Sequence, residues 1–171
     1  KPYFGIKNYA NREILFVAKG RFKDKGGDLV IKAFRMALNA DPSLKLTIVG
    51  TEEAKVYETD KNVTVLGFIP LHQLQELFDS HSLFLMPAIN EPWGLVYIEA
   101  MLCKMPIMGL NLNSFPELSG SGEYGFGIDC LEPSALAIAI VNAFKDTELL
   151  KVMGERAQDY CLKQYSWDIA V

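Results

Sequence analysis

The sequence predicts an α/β domain, a doubly wound, Rossmann-like parallel sheet of about six strands flanked by helices. Three observations predict it. Short runs rich in Val, Ile, Leu and Phe alternate with longer stretches of helical periodicity. The first four of these runs are nearly continuous in apolar residues, as in parallel strands covered on both faces. Glycine or proline stands near most junctions, at Gly26-Gly27, Gly50, Gly67, Pro70, Pro92, Pro106, Pro116 and Pro133. Strand–helix alternation of this length makes an open wound sheet.

Residues 1–12 are polar and aromatic, contain proline and glycine and lack periodicity, which predicts an incoming connection from another domain. Residues 14–19 form the first strand. A helix follows at 28–39, with Leu29, Ala33, Met36 and Ala37 near helical spacing and Lys32 and Arg35 on the other face. Strands are expected at 45–49, 63–67, 83–86, 107–109 and 125–128, with helices at 71–79 and 94–104 between them. Two further helices, at 134–145 and 148–164, close the fold. Phe34, Phe78, Phe84 and Trp167 are assigned to the core. Residues 166–171 open a capped amphipathic helix with no room to continue. The expectation is one domain over 13–171, cut from a longer protein at the start of a closing helix.

Composition narrows the function. At 171 residues, 50% hydrophobic and 22% charged, the chain is globular and large enough for a core without disulfide or metal. A net charge of −4 argues against a broad nucleic-acid face, so any bound anion must meet a local cluster of positive charge. No apolar run approaches the ~20 residues of a membrane span. Cys103, Cys130 and Cys161 are odd in number and widely spaced, which suits reduced thiols in the cytoplasm.

Ligands of wound sheets bind beyond the carboxyl ends of the strands. After the first strand, Lys19-Gly20-Arg21-Phe22-Lys23-Asp24-Lys25-Gly26-Gly27 carries four positive charges in seven residues. With its glycines and the helix start that follows, it forms a phosphate or diphosphate site. Neither the P-loop order nor Gly-x-Gly-x-x-Gly is present. Arg21 and Lys25, four apart, are the anion ligands favoured; Lys19 and Lys23 fit a solvated turn equally well.

After the fourth strand, Pro92 and Gly94 keep the backbone open, so that the N–H groups of Leu95 and Val96 can face a ligand. Glu99 is the one charge in the apolar helix before Lys104. It is expected to be buried close to the helix start, accepting hydrogen bonds from a vicinal diol such as a ribose; a structural carboxylate paired to arginine or backbone amides is the other reading. Glu91, on the loop, is either a ligand group or an exposed carboxylate. His72 reads as a polar cap of the helix at 71–79, and His81 as structural. Residues 119–122 read as a plain loop. No nucleophile elbow and no Asp-x-Asp pair for a divalent cation is present.

Gly20-Arg21 and Lys25-Gly26 after a strand, Val65-Leu66-Gly67-Phe68-Ile69-Pro70, and Glu91-Pro92-Trp93-Gly94-Leu95-Val96-Tyr97-Ile98-Glu99-Ala100-Met101 together resemble the retaining GT-B glycosyltransferases of family 4. The likeness runs through Pro106, Pro116-Glu117, Tyr124-Gly125 and Tyr165-Ser166-Trp167. It implies the C-terminal, nucleotide-sugar-binding half of a two-domain enzyme. Arg21 and Lys25 would hold the donor diphosphate beside Gly20, and Glu99 the ribose. Glu91, with the backbone of Trp93, Gly94, Leu95 and Val96, would contact the donor sugar and phosphates, and main chain near Phe68 and Ile69 would cradle the base. Catalysis would rest on Glu91, Arg21 and Lys25, with no metal or cofactor. The partners implied are the nucleotide-sugar donor and an acceptor-binding N-terminal half, which would also make any membrane contact.

The sequence departs from the family in a shorter Arg21–Lys25 gap, in Asn113-Ser114 where the family has Gly-Gly, and in the acidic turn Gly50-Thr51-Glu52-Glu53. Alternatives are an epimerase or phosphorylase of the same architecture, or a non-catalytic nucleotide-binding scaffold. A receiver-type signalling domain is excluded by the basic stretch after the first strand.

Overall fold

The computed structural model describes residues 1–165. Six strands, β1 Glu13–Val17, β2 Lys45–Val49, β3 Val63–Leu66, β4 Leu83–Leu85, β5 Ile107–Leu110 and β6 Gly125–Ile128, form one sheet in the order β3-β2-β1-β4-β5-β6. Every pairing is parallel. Ile14 lies beside both Leu46 and Leu83, so β1 is the central strand. Ile14, Leu15, Phe16, Ile48, Leu83, Phe84, Ile107 and Met108 are fully buried, as expected where helices cover both faces. The expected first strand is shortened at its end. Lys19 and Gly20 turn left-handed, with φ of 48° and 75°, and leave the sheet direction.

The helices are α1 Gly27–Ala40, α2 Leu71–Ser80, α3 Leu95–Leu102, α4 Phe115–Leu118, α5 Pro133–Ala143 and α6 Thr147–Gln164. Helix α1 packs on α5, and α3 on α6. Right-handed crossovers wind outward from β1 and β4 in opposite directions, which puts α1 and α3 on opposite faces. The buried face of α1 is Val30, Ile31, Ala33, Phe34 and Ala37, whereas Met36 is 45% exposed. Of the expected stripe, Ala33 and Ala37 are buried and Leu29 packs partly against the core, with Lys32 and Arg35 exposed on the other face; only Met36 departs from it. Phe34, Phe78 and Phe84 are core residues, as expected.

His72 does not cap α2; Pro70 occupies that position without a side-chain hydrogen bond, and His72 is exposed. His81 is structural. Its Nδ1 lies 2.9 Å from the Leu77 carbonyl and its Nε2 2.8 Å from Thr47 Oγ1. The carbonyl can only accept, so Nδ1 carries a proton, and burial, which lowers the imidazole below its ordinary value, favours the neutral ring. Residues 119–122 form a turn whose last three residues, Gly120, Ser121 and Gly122, take positive φ of 57°, 53° and 105°, anchored by the buried Ser119 hydroxyl, which donates to the Pro116 carbonyl at 3.2 Å.

Residues 1–12 are tied along this domain. The Lys7 ammonium is buried and donates to the carbonyls of Phe78, Asp79 and His81 at 2.8, 2.9 and 2.8 Å, using all three of its protons at the C-terminal end of α2. The Tyr9 hydroxyl donates to the Lys104 carbonyl at 2.7 Å, and Gln158 Nε2 donates to the carbonyls of Tyr3 and Leu102. The capped helix expected at 166–171, with Trp167, lies outside the described residues.

Candidate functional site

Strand order reverses between β1 and β4, so the loops that follow them leave the sheet in opposite directions and open a crevice beyond their carboxyl ends. The loop after β1 is pinned to its neighbour: Ala18 N–H donates to the Val49 carbonyl at 2.8 Å and Gly20 N–H to the Gly50 carbonyl at 2.6 Å. It then approaches the loop after β4 more closely than a side chain permits. A Cβ on Gly26, at φ 82°, would lie 2.4 Å from the Pro87 carbonyl oxygen. This backbone-on-backbone contact brings the cationic turn onto the segment holding Glu91.

Arg21 and Lys25 converge there as expected. Lys25, with 5% of its side chain exposed, places Nζ 3.8 Å from Glu91 Oε2. Arg21 Nη2 reaches the Asn90 carbonyl at 3.4 Å, and its Nε lies 3.3 Å from Asp24 Oδ2. Glu91 is not an exposed carboxylate: 17% of its side chain is accessible. Burial pulls the Lys25 ammonium below the ordinary lysine value; Glu91 opposes that shift, while Lys19 and Arg21 reinforce it. Lys25 is therefore a cation held at a cost that an anion in the crevice would relieve.

Helix α3 starts at Gly94, at φ 61°, where a Cβ would lie 2.5 Å from Leu118 Cδ1. No side chain caps it, so the first-turn N–H groups of Leu95 and Val96 are left for an anion or water. Val96 and Tyr97 are buried, while Trp93 on the crevice loop and Leu95 at the head of α3 are exposed.

Glu99 is where the expectation fails. It is not buried; 48% of its side chain is exposed, and Oε2 lies 3.5 Å from Lys19 Nζ. Leu95 and Glu99, one turn apart, share a face of α3 that the fold leaves open, so an apolar composition did not mean burial on all sides. Neither the buried arginine nor the backbone amides of the structural reading are its partners; its partner is a lysine of the β1 loop.

After β3, Phe68 is exposed, with its ring edge 3.6 Å from the place of a Cβ on Gly20, and Ile69 packs partly against the core. The structure thus gathers Gly20, Arg21, Lys25, Glu91 and Glu99 about one crevice, with Phe68 beside Gly20. The sequence reading missed the braces. Asn113 Nδ2 donates to the Ile89 carbonyl at 2.8 Å and the Ser114 hydroxyl to the Glu91 carbonyl at 3.2 Å. Asn113 has φ 54°, a conformation asparagine tolerates. That tolerance was the available signal that this pair replaces Gly-Gly without losing the turn.

Residues 4–160 match the family described as glycosyl transferases group 1. Among curated relatives, N-acetyl-alpha-D-glucosaminyl L-malate synthase of Bacillus anthracis is 29% identical over 170 residues, covering 96% of this chain and 44% of its own. D-inositol 3-phosphate glycosyltransferase of Streptomyces griseus is 28% identical over 163 residues, covering 85% of this chain and 34% of its own. The chain therefore spans less than half the length of these relatives. Among solved structures, TarM of S. aureus in a complex that includes UDP superposes with a TM-score of 0.84 at 19% identity, over 99% of this chain and 35% of that one. The C-terminal domain of LpcC, a glycosyl transferase group 1 family protein from Francisella tularensis, superposes with a TM-score of 0.78 at 18% identity, over 91% of this chain and 87% of that one. A parallel six-stranded half of a GT-B fold, with cationic and acidic loops meeting at its strand reversal and a family match across nearly all its length, makes this chain a member of the glycosyl transferases group 1 family.

Proposed function

We propose that this chain is the donor-binding domain of a retaining glycosyltransferase, which transfers a sugar from a nucleoside-diphosphate sugar to an acceptor held by a separate N-terminal domain. The observation that carries it is the convergence of Arg21 and the buried Lys25 on the Asn90–Glu91 segment beside the open start of α3. The curated relatives with synthase and transferase names, and the UDP in the TarM complex, agree with it.

In the reaction proposed, the bond from the anomeric carbon to the donor diphosphate oxygen breaks as the acceptor oxygen attacks the same face. The leaving diphosphate oxygen keeps the electron pair and takes up the proton that the acceptor hydroxyl gives up. Arg21, Lys25 and the first-turn amides of α3 stabilise that developing charge from fixed positions, which is where electrostatic catalysis acts. Glu91 and the backbone of residues 93–96 contact the sugar and phosphates, Glu99 accepts from the ribose hydroxyls, and main chain at Gly20, Phe68 and Ile69 lines the base and phosphate path. No metal ion is assigned to the reaction. The proposal places the enzyme in the cytoplasm, where nucleotide sugars are made, and expects this domain alone to bind donor without turnover.

Calorimetric titration with UDP, GDP and ADP tests the site. One of the three binds, and Arg21→Ala and Glu99→Ala each weaken it, roughly tenfold or more for loss of a charge-assisted contact. Binding that neither substitution changes refutes the assignment.

A further inference from the structure

Lys19 follows β1 at φ 48°, a backbone conformation that a side chain disfavours and that glycine adopts freely. The fold holds it there from both sides. Ala18 and Gly20 donate to the Val49 and Gly50 carbonyls, and the Gly50 Cα comes so close that a Cβ on it would lie 3.0 Å from the Lys19 nitrogen. The result is an ammonium on the crevice side, 3.5 Å from Glu99 Oε2, with half of each side chain exposed. The charge of Lys19 is also felt by Lys25, whose proton it helps to loosen. Lys19 thus pairs with the carboxylate assigned to the ribose while its charge bears on the cation assigned to the diphosphate, and Glu99 is its one ion-pair partner among the described residues.

We propose that Lys19 is a third phosphate-binding cation, parked on Glu99 in the empty site and released to the diphosphate when the ribose hydroxyls take its place on that carboxylate. This rests on the donor-site reading above. The exchange is physically easy in one direction. An exposed lysine–carboxylate pair is weak and screened, so a vicinal diol can displace it. The freed ammonium then meets a diphosphate carrying at least two negative charges instead of one carboxylate. The same anion offsets the repulsion between Lys19 and Lys25. Ribose recognition and phosphate recognition are then coupled through one side chain: a nucleoside alone must break the Lys19–Glu99 pair without any return, whereas a nucleoside diphosphate re-employs the lysine.

The test compares a nucleoside diphosphate with its nucleoside, using whichever of UDP, GDP and ADP the chain binds best. Lys19→Asn removes the charge while suiting the left-handed backbone, and Lys19→Arg keeps the charge. Melting curves confirm that both variants fold. Lys19→Asn weakens the diphosphate roughly five- to tenfold and leaves the nucleoside unchanged or tighter, and it reduces the salt dependence of diphosphate binding. Lys19→Arg restores the diphosphate affinity to within about twofold of wild type, since a guanidinium also pairs with phosphate. Equal loss for both ligands in Lys19→Asn overturns the proposal, because Lys19 would then act only by positioning Glu99. No change for either ligand, in a chain whose diphosphate binding falls in Arg21→Ala, overturns it while leaving the donor site standing. A wild-type chain that binds none of the three nucleotides overturns the donor site and this proposal together.

Discussion

Substituting Gly26 by alanine separates the two demands made on the residue that joins the crevice loops. At φ 82° the added side chain forces a left-handed conformation, a cost of about 1–2 kcal/mol. Its Cβ would also lie 2.4 Å from the Pro87 carbonyl oxygen and 2.9 Å from Pro87 Cγ. Backbone cannot yield as a flexible side chain does, so relief requires shifting one loop, an overpacking cost of about 1–3 kcal/mol. The sum is about 2–5 kcal/mol, and at roughly 2–4 °C per kcal/mol for a chain of this size the midpoint falls by roughly 4–20 °C. Gly20→Ala is the internal control. Gly20 has a similar φ of 75°, but its Cβ would meet nothing closer than Phe68 Cζ at 3.6 Å, so only the backbone cost of about 1–2 kcal/mol remains. Urea unfolding of the two variants and the wild type gives the comparison directly. If Gly26→Ala is no less stable than Gly20→Ala, the two loops are not in the contact described, and the route by which Lys25 reaches Glu91 is wrong.

The remaining predictions concern buried polar groups. Burial holds the His81 imidazole below its ordinary value of 6.5, so below that pH the unfolded chain takes up a proton that the folded one resists, and stability falls as the pH drops from about 6.5 toward the folded value. Urea midpoints at pH 7 and pH 5 show this loss in the wild type and a smaller one in His81→Asn. Tyr97 is buried against Phe84 and Phe115, with its hydroxyl donating to the Met86 carbonyl; Tyr97→Phe keeps the ring contacts and costs about 1 kcal/mol in chemical denaturation. Because burial lowers the Lys25 value, nucleotide affinity measured by calorimetry declines with rising pH before an ordinary lysine would deprotonate, and Lys25→Arg flattens that decline.

Strand positions were legible because parallel strands covered on both faces leave an unbroken apolar run, and β2 from Lys45 to Val49 was read to the residue. The cationic turn that carries Arg21 and Lys25 to the Asn90–Glu91 segment was legible because its charges crowd one glycine-rich stretch of an otherwise acidic chain. Other features depend on contacts remote in sequence. The exposure of Met36 on α1 was not legible because an apolar side chain at the edge of the stripe is covered only if a neighbouring element reaches it. The four-residue helix α4 is too short to show a period. The exposure of Glu99 follows from the open face of α3, which composition does not encode. The brace from Asn113 and Ser114 to the Glu91 loop joins residues more than twenty apart, and local rules see only the turn.

The threefold grip of Lys7 on the last turn of α2 has a mechanical consequence. A pull applied at the first residue loads the contacts of Lys1 and Tyr3 first and then meets that clasp before it arrives at the central strand six positions later, so tension is diverted sideways into helices and the sheet is spared. In an optical-trap experiment on this chain, Lys7→Met would lower the force of the rupture that follows release of residues 1–3.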